Sequence, residues 1–127
     1  MVARILVIED NAASLELVRY LLSYQGYSVL LATDGPQGVA VALQEQPDLI
    51  LCDLQIPGFD GYQVLRELRG RLHTVIVALT AFSMPNDRHH VLTAGFDGYM
   101  SKPIDPEKFV HEVALYLPAA QRAPAAN

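Results

Sequence analysis

Three carboxylates stand where short apolar runs stop. Glu9 and Asp10 follow Ile5-Leu6-Val7-Ile8, and Asp53 follows Leu49-Ile50-Leu51-Cys52. Short continuous apolar runs bounded by turn signals read as buried parallel strands. Parallel strands bring their carboxyl ends to one sheet edge, and ligands of open α/β sheets bind in the crevice outside that edge. Carboxylates sharing one crevice raise each other's pKa. A hard cation relieves that conflict. Mg²⁺ takes oxygen ligands and commonly combines one or two carboxylates with phosphate oxygens. Glu9, Asp10 and Asp53 are therefore a candidate Mg²⁺ site, with Mn²⁺ as a substitute. Singly, each has a plainer reading as a solvated strand end or, for Asp53, a turn cap.

Two more groups reach the same edge. The apolar run Val75–Leu79 ends at Thr80-Ala81, which offers a hydroxyl. The run from Gly98 to Ser101 ends at Lys102-Pro103, which offers an ammonium. Carboxylates, a cation, a hydroxyl and an ammonium together suit a phosphoryl group. The metal and Lys102 would neutralise its equatorial oxygens, and Thr80 would donate a hydrogen bond. The carboxylate nearest the metal could act as nucleophile and form an acyl phosphate. Alone, Thr80 reads as a strand end and Lys102 as a surface lysine lying along apolar surface.

The intervening segments are built to hold these strands. Asn11, Asp34, Asp60 and Asp105 are helix N-cap residues. Leu15, Val18 and Leu22 recur at helical spacing, and Gly26 closes that helix. A second strand covers 28–32. The next helix covers 35–45, with Val39, Ala40 and Leu43 expected inward, and Pro47 stops it. Val64, Leu65 and Leu68 mark a third helix before Gly70. Pro85 suits the first turn of a fourth, closed by Gly95. Phe109, Val110, Val113, Ala114 and Leu117 mark a fifth, ended by Pro118. Strand and helix alternate five times, which predicts a doubly wound α/β fold with helices on both faces. In the flavodoxin-like strand order 2-1-3-4-5, strands one and three are neighbours, and their carboxyl ends flank the binding crevice.

Composition narrows the class. The 127 residues suit one domain, and 51% are apolar, enough for a core without disulfides or a structural metal. We expect the domain over 1–118 and a disordered Ala/Pro-rich tail over 119–127. Cys52 is the single cysteine, so no intrachain disulfide forms, which fits a reducing compartment. The net charge is −5, without a Lys/Arg run, which argues against direct nucleic-acid binding. No apolar stretch approaches a membrane span of about 18 residues. The expected location is cytoplasmic. His89 and His90 are adjacent and project in different directions on a helix, so they make a poor metal pair.

The order of motifs is specific where each alone is weak. Val7-Ile8-Glu9-Asp10-Asn11, Asp53 with Pro57-Gly58 and Asp60-Gly61, Ala78-Leu79-Thr80-Ala81, Ala94-Gly95, and Tyr99-Met100-Ser101-Lys102-Pro103 follow in sequence. From Ile5 to about Leu117 the chain resembles the CheY-like receiver domains of two-component response regulators. The Thr80–Met84 stretch resembles DivK-like and hybrid-kinase receivers. The resemblance implies that Asp53 takes phosphate from a histidine kinase or histidine phosphotransfer protein. It makes Asp10 a direct Mg²⁺ ligand, Glu9 one acting through water, and the Gln55 carbonyl a further ligand. It makes Thr80 and Lys102 the phosphate partners and Tyr99 the aromatic switch paired with Thr80. It places Gln55 and Phe82 beside the water's approach line, where they set phosphate lifetime. It implies a cis bond before Pro103. Output would pass to a downstream protein through a changed surface on the fourth helix, fifth strand and fifth helix. The chain departs from the family pattern in Glu9, where Asp is frequent, in a short segment 70–74, and in Thr74, where proline often stands.

A stand-alone regulator and a receiver belonging to a larger hybrid kinase or multidomain regulator both fit these motifs. Two other classes share the topology. A flavodoxin-like electron carrier needs a Ser/Thr/Gly loop after strand one, where Glu9-Asp10 would repel the flavin phosphate. A phosphatase of the haloacid dehalogenase type needs a second Asp two residues after its nucleophile, as general acid. Gln55 occupies that position.

Overall fold

In a computed structural model, residues 2–58, 60–81 and 86–121 are described. Five strands and five helices alternate. They are β1 (Arg4–Ile8), α1 (Ala12–Tyr24), β2 (Ser28–Ala32), α2 (Gly35–Glu45), β3 (Leu49–Asp53), α3 (Gly61–Arg69), β4 (Val75–Thr80), α4 (Asn86–Ala94), β5 (Gly98–Ser101) and α5 (Pro106–Leu115). All strand pairs are parallel, in the order β2-β1-β3-β4-β5. This is the doubly wound sheet that the alternating pattern predicts. Residues 119–121 of the expected tail form one 3-10 turn. Residues 122–127, Phe82 and Pro85 lie outside the described residues.

Side-chain alternation along the strands divides the core into two layers. Ile5, Val7, Leu49, Leu51, Val77, Leu79 and Met100 pack with Val18 and Leu22 of α1 and Phe109 and Val113 of α5. Leu6, Ile8, Ile50, Cys52, Ile76 and Ala78 pack with α2, α3 and α4. The central strands are buried on both faces, which is why they read as unbroken apolar runs.

The predicted caps form. The side chains of Asn11, Asp34 and Asp60 accept from the backbone amides of Ser14, Gln37 and Gln63. Asp105 accepts from the amides of Glu107 and Lys108. One predicted face is corrected. Ala40 of α2 is exposed and does not face inward; the buried stripe is Gly35, Gly38, Val39 and Ala42. Gly38 sets this rotation, because a Cβ there would stand 2.5 Å from Cδ1 of the buried Ile8. The helix lies close against β1 at Gly38, where no side chain intervenes.

The short 70–74 segment is fixed by polar ties. Asp97 accepts from the Ile76 amide at 2.8 Å and from Arg69 at 3.0 Å. Arg69 also donates to the carbonyls of Thr74 and Gly95. The Thr74 hydroxyl donates to the Pro47 carbonyl at 3.0 Å.

Gly61 links the fold to the site. A Cβ there would lie 2.7 Å from the Asp53 carbonyl oxygen and 2.9 Å from the Leu54 Cα. Both neighbours are backbone, so α3 can begin against the end of β3 only with glycine. Gly61→Ala should cost about 1–3 kcal/mol, the scale of overpacking. Gly70→Ala should be neutral or stabilising by about 0.4–1 kcal/mol, because nothing lies within 4 Å of its Cβ position. Urea unfolding of both variants checks this; equal stabilities would contradict the close packing at Gly61.

Candidate functional site

Strand register accounts for the meeting of the carboxylates. Ile8 pairs with Cys52, so the next residues, Glu9 and Asp53, end adjacent strands side by side. Alternation also sends both to one face. Glu9 continues the Ile5, Val7 series, and Asp53 continues Leu49, Leu51. Lys102 follows Met100 by two residues and reaches them from β5. Its ammonium donates to Asp53 Oδ2 at 2.6 Å and to Glu9 Oε1. The Lys102-Pro103 bond is cis, as the resemblance implies.

The three groups differ in exposure. Glu9 is 1% exposed and Asp53 8%, while Asp10 is exposed. Buried carboxylates at this density need partners. Lys102 supplies one to both, the Gln55 amide donates to Asp53 Oδ1 at 3.0 Å, and the Asn11 amide donates to Glu9 at 3.4 Å. Burial raises the Glu9 carboxyl to about 7, and the adjacent Asp53 adds to that rise. For Asp53 burial acts upward too. Hydrogen bonds from Glu9, Lys102 and the Gln55 amide outweigh it and hold the carboxyl below its usual range. The two carboxylates are thus shifted in opposite directions, Glu9 up and Asp53 down. Lys102 is raised, because the two carboxylates oppose the effect of its burial.

These groups open into a crevice of about 580 Å³, lined also by Asp10, Asn11, Ser14, Gln55, Thr80 and Ala81. One oxygen each from Glu9, Asp10 and Asp53 lies within 4.8 Å of the others. An all-oxygen donor set of that span suits Mg²⁺, which retains water and takes few protein ligands. Glu9, Asp10 and Asp53 are the side chains that would hold it.

Thr80 lies on the crevice wall, and its carbonyl accepts from the Lys102 amide at 2.9 Å. Tyr99 stands beside Ala78 in the ladder and packs, half-buried, on the α2–α4 layer. Phe82 lies outside the described residues. His89, His90, His73 and His111 are exposed. Cys52 is fully buried and its thiol is pushed up by that burial, as expected of a core residue. The sequence reading missed the bond between Lys102 and Glu9. Alternation carries the signal for it, since Glu9, Asp53 and Lys102 all continue series on the same face.

The model of the response regulator receiver domain matches residues 5–114. The chain belongs to this family. It is 39% identical over 126 residues to the DNA-binding dual master transcriptional regulator RpaA of Synechocystis, covering 97% of this chain and 52% of RpaA. It thus spans about half of that relative. It is 32% identical over 120 residues to the polar-differentiation response regulator DivK of Brucella ovis, covering 92% of this chain and 98% of DivK. The structure of CheY4 from Vibrio cholerae superposes with a TM-score of 0.86 at 26% identity, covering 92% of this chain and all of that one. The receiver domain of the sensor histidine kinase PA1611 from Pseudomonas aeruginosa superposes with a TM-score of 0.81 at 32% identity, covering 91% and 98%. That domain has a magnesium ion coordinated in its active-site cleft.

The charge pattern orders the response of three proteins to Mg²⁺. In chelator, Lys102→Met should lose about 3 kcal/mol, the lower end for breaking a buried ion pair. Asp10→Asn should gain about 0.5 kcal/mol by relieving repulsion. Because a ligand of the folded state stabilises it by mass action, the Tm increment on adding Mg²⁺ should be largest in Lys102→Met and smallest in Asp10→Asn. Thermal melts with and without Mg²⁺ test the order; equal increments in all three would refute it.

Proposed function

We propose that this receiver domain accepts a phosphoryl group on Asp53 from a histidine kinase or histidine phosphotransfer protein. The observation that carries this reading is an 8% exposed carboxylate, held below its usual range by its hydrogen bonds, bridged by Lys102 and open to a polar crevice. A carboxylate with those partners is a nucleophile held in one orientation. An Asp53 oxygen attacks the phosphorus of a phosphohistidine. The new O–P bond forms as the N–P bond breaks, and the bonding pair leaves with the imidazole. The product is an acyl phosphate.

Bound Mg²⁺ would supply positive charge to the phosphoryl oxygens. Lys102 supplies a further positive charge, within reach because it already touches Asp53. Thr80 donates its hydroxyl to the phosphoryl group and, with Tyr99, passes its presence to the face around α4, β5 and α5. A downstream protein then binds that altered face. Gln55, exposed at the crevice, and Phe82 set how readily water hydrolyses the acyl phosphate. Transfer to Asp53 and loss from it are the chain's own chemistry; Gln55 supplies no general acid for outside substrates. The match to RpaA, of which the chain spans 52%, equally supports the same chemistry within a larger regulator.

Acetyl phosphate with Mg²⁺ should raise the intact mass by one phosphoryl group, and EDTA should prevent it. Asp53→Asn should abolish labelling, since an amide is no nucleophile. Mg²⁺-independent labelling that persists in Asp53→Asn would overturn the assignment. Gln55→Ala should change the rate of phosphate loss more than the rate of labelling. Equal effects on the two rates would remove Gln55 from the hydrolytic role.

A further inference from the structure

Tyr99 is held from two sides by residues of the two flanking helices. The Arg88 guanidinium, from the first turn of α4, lies over the Tyr99 ring, 5.1 Å from its centroid. That is within the range of a cation–π contact. From α5, the Tyr116 hydroxyl is hydrogen-bonded to the Tyr99 backbone. Tyr116 lies so close across β5 that a Cβ on Gly98 would stand 2.0 Å from its oxygen. The backbone of Tyr99 is therefore held by the Tyr116 hydroxyl. The ring meets the long, exposed side chain of Arg88. Among the described contacts of the ring, the Arg88 guanidinium is one group that opposes a change in its place.

We infer that Arg88 is a positioning residue that latches the Tyr99 ring against α4 and so weakens the response of the domain to phosphorylation. This rests on the proposed role of Asp53, Thr80 and Tyr99. A phosphoryl group that recruits Thr80 favours a ring position nearer the crevice. A contact made in only one of two states biases the equilibrium toward that state. By linkage, whatever stabilises the unphosphorylated arrangement lowers affinity for the phosphoryl group by the same factor. Loss of the latch should thus tighten binding of a phosphoryl mimic. An exposed cation–π contact corresponds to about a two- to five-fold change.

Beryllofluoride with Mg²⁺ serves as the mimic, titrated by calorimetry into the whole chain. Arg88→Ala should bind it about two- to five-fold more tightly than wild type, and Arg88→Lys, which keeps a cation, should fall between. In a Tyr99→Leu background, Arg88→Ala should have no further effect, as a double-mutant cycle requires when the contact is the cause. In NMR spectra the Arg88 side-chain protons should carry a ring-current shift that Tyr99→Leu removes and that beryllofluoride reduces. Unchanged or weaker binding by Arg88→Ala would overturn the latch. The same gain in the Tyr99→Leu background would overturn it too. Failure of the wild-type protein to bind beryllofluoride, or equal binding by Asp53→Asn, would overturn the underlying phosphoacceptor reading, and the latch with it.

Discussion

The bridge from Lys102 to Glu9 and Asp53 is the constraint on which the molecule depends. Two carboxylates that are almost wholly buried cannot both stay charged beside each other without compensation. Lys102 compensates both at once. Its approach needs β5 in place, and β5 joins the sheet by pairing with β4. The ionisation of a group at the end of β3 therefore depends on a side chain two strands away. The packing of the sheet edge thus also sets the surroundings of Asp53. The bridge also divides labour between the carboxylates. Glu9 is raised to about 7, while the hydrogen bonds on Asp53 hold its carboxyl below the usual range.

Much of this was legible in the sequence, and for identifiable reasons. The five strands are apolar runs because each central strand is covered on both faces. The caps at Asn11, Asp34, Asp60 and Asp105 are local chemistry, and local chemistry survives into the fold. The crevice residues could be gathered because parallel strands all end at one edge. The rotation of α2 was not legible. Helical spacing alone allows Ala40 to face inward, and the choice is made by the fit of Gly38 onto Ile8, a contact between distant residues. The ties at residues 69–76 were also hidden. Arg69 and Asp97 are 28 positions apart, and nothing near either announces the partner.

The glycines near the site show how packing constrains chemistry. Gly58 has a φ of +88° and lies against Pro36, so the loop after β3 turns sharply and meets the start of α2. The Gly35 amide donates to the Pro57 carbonyl at 2.9 Å across that meeting. Gly61 then starts α3 against the Asp53 carbonyl. Ahead of both glycines the same loop carries Gln55, whose amide holds Asp53 Oδ1. A bulkier residue at either glycine would move that amide, and with it the lone pairs of the carboxylate.

Strand alternation separates two tasks that meet at the crevice. Glu9, Asp53 and Lys102 continue the series that faces α1 and α5. Tyr99 belongs to the opposite series, in the layer with α2, α3 and α4, and Thr80 follows Ala78 of that same layer. The charge-bearing groups therefore rest on one half of the core, and the groups read as the switch rest on the other. A change at Asp53 that reaches Thr80 must cross the plane of the sheet at its carboxyl edge. On the far side it meets Tyr99, whose ring touches α4 through Arg88 and whose backbone touches the end of α5 through Tyr116. The proposed phosphoacceptor and the proposed switch thus rest on different layers of the core.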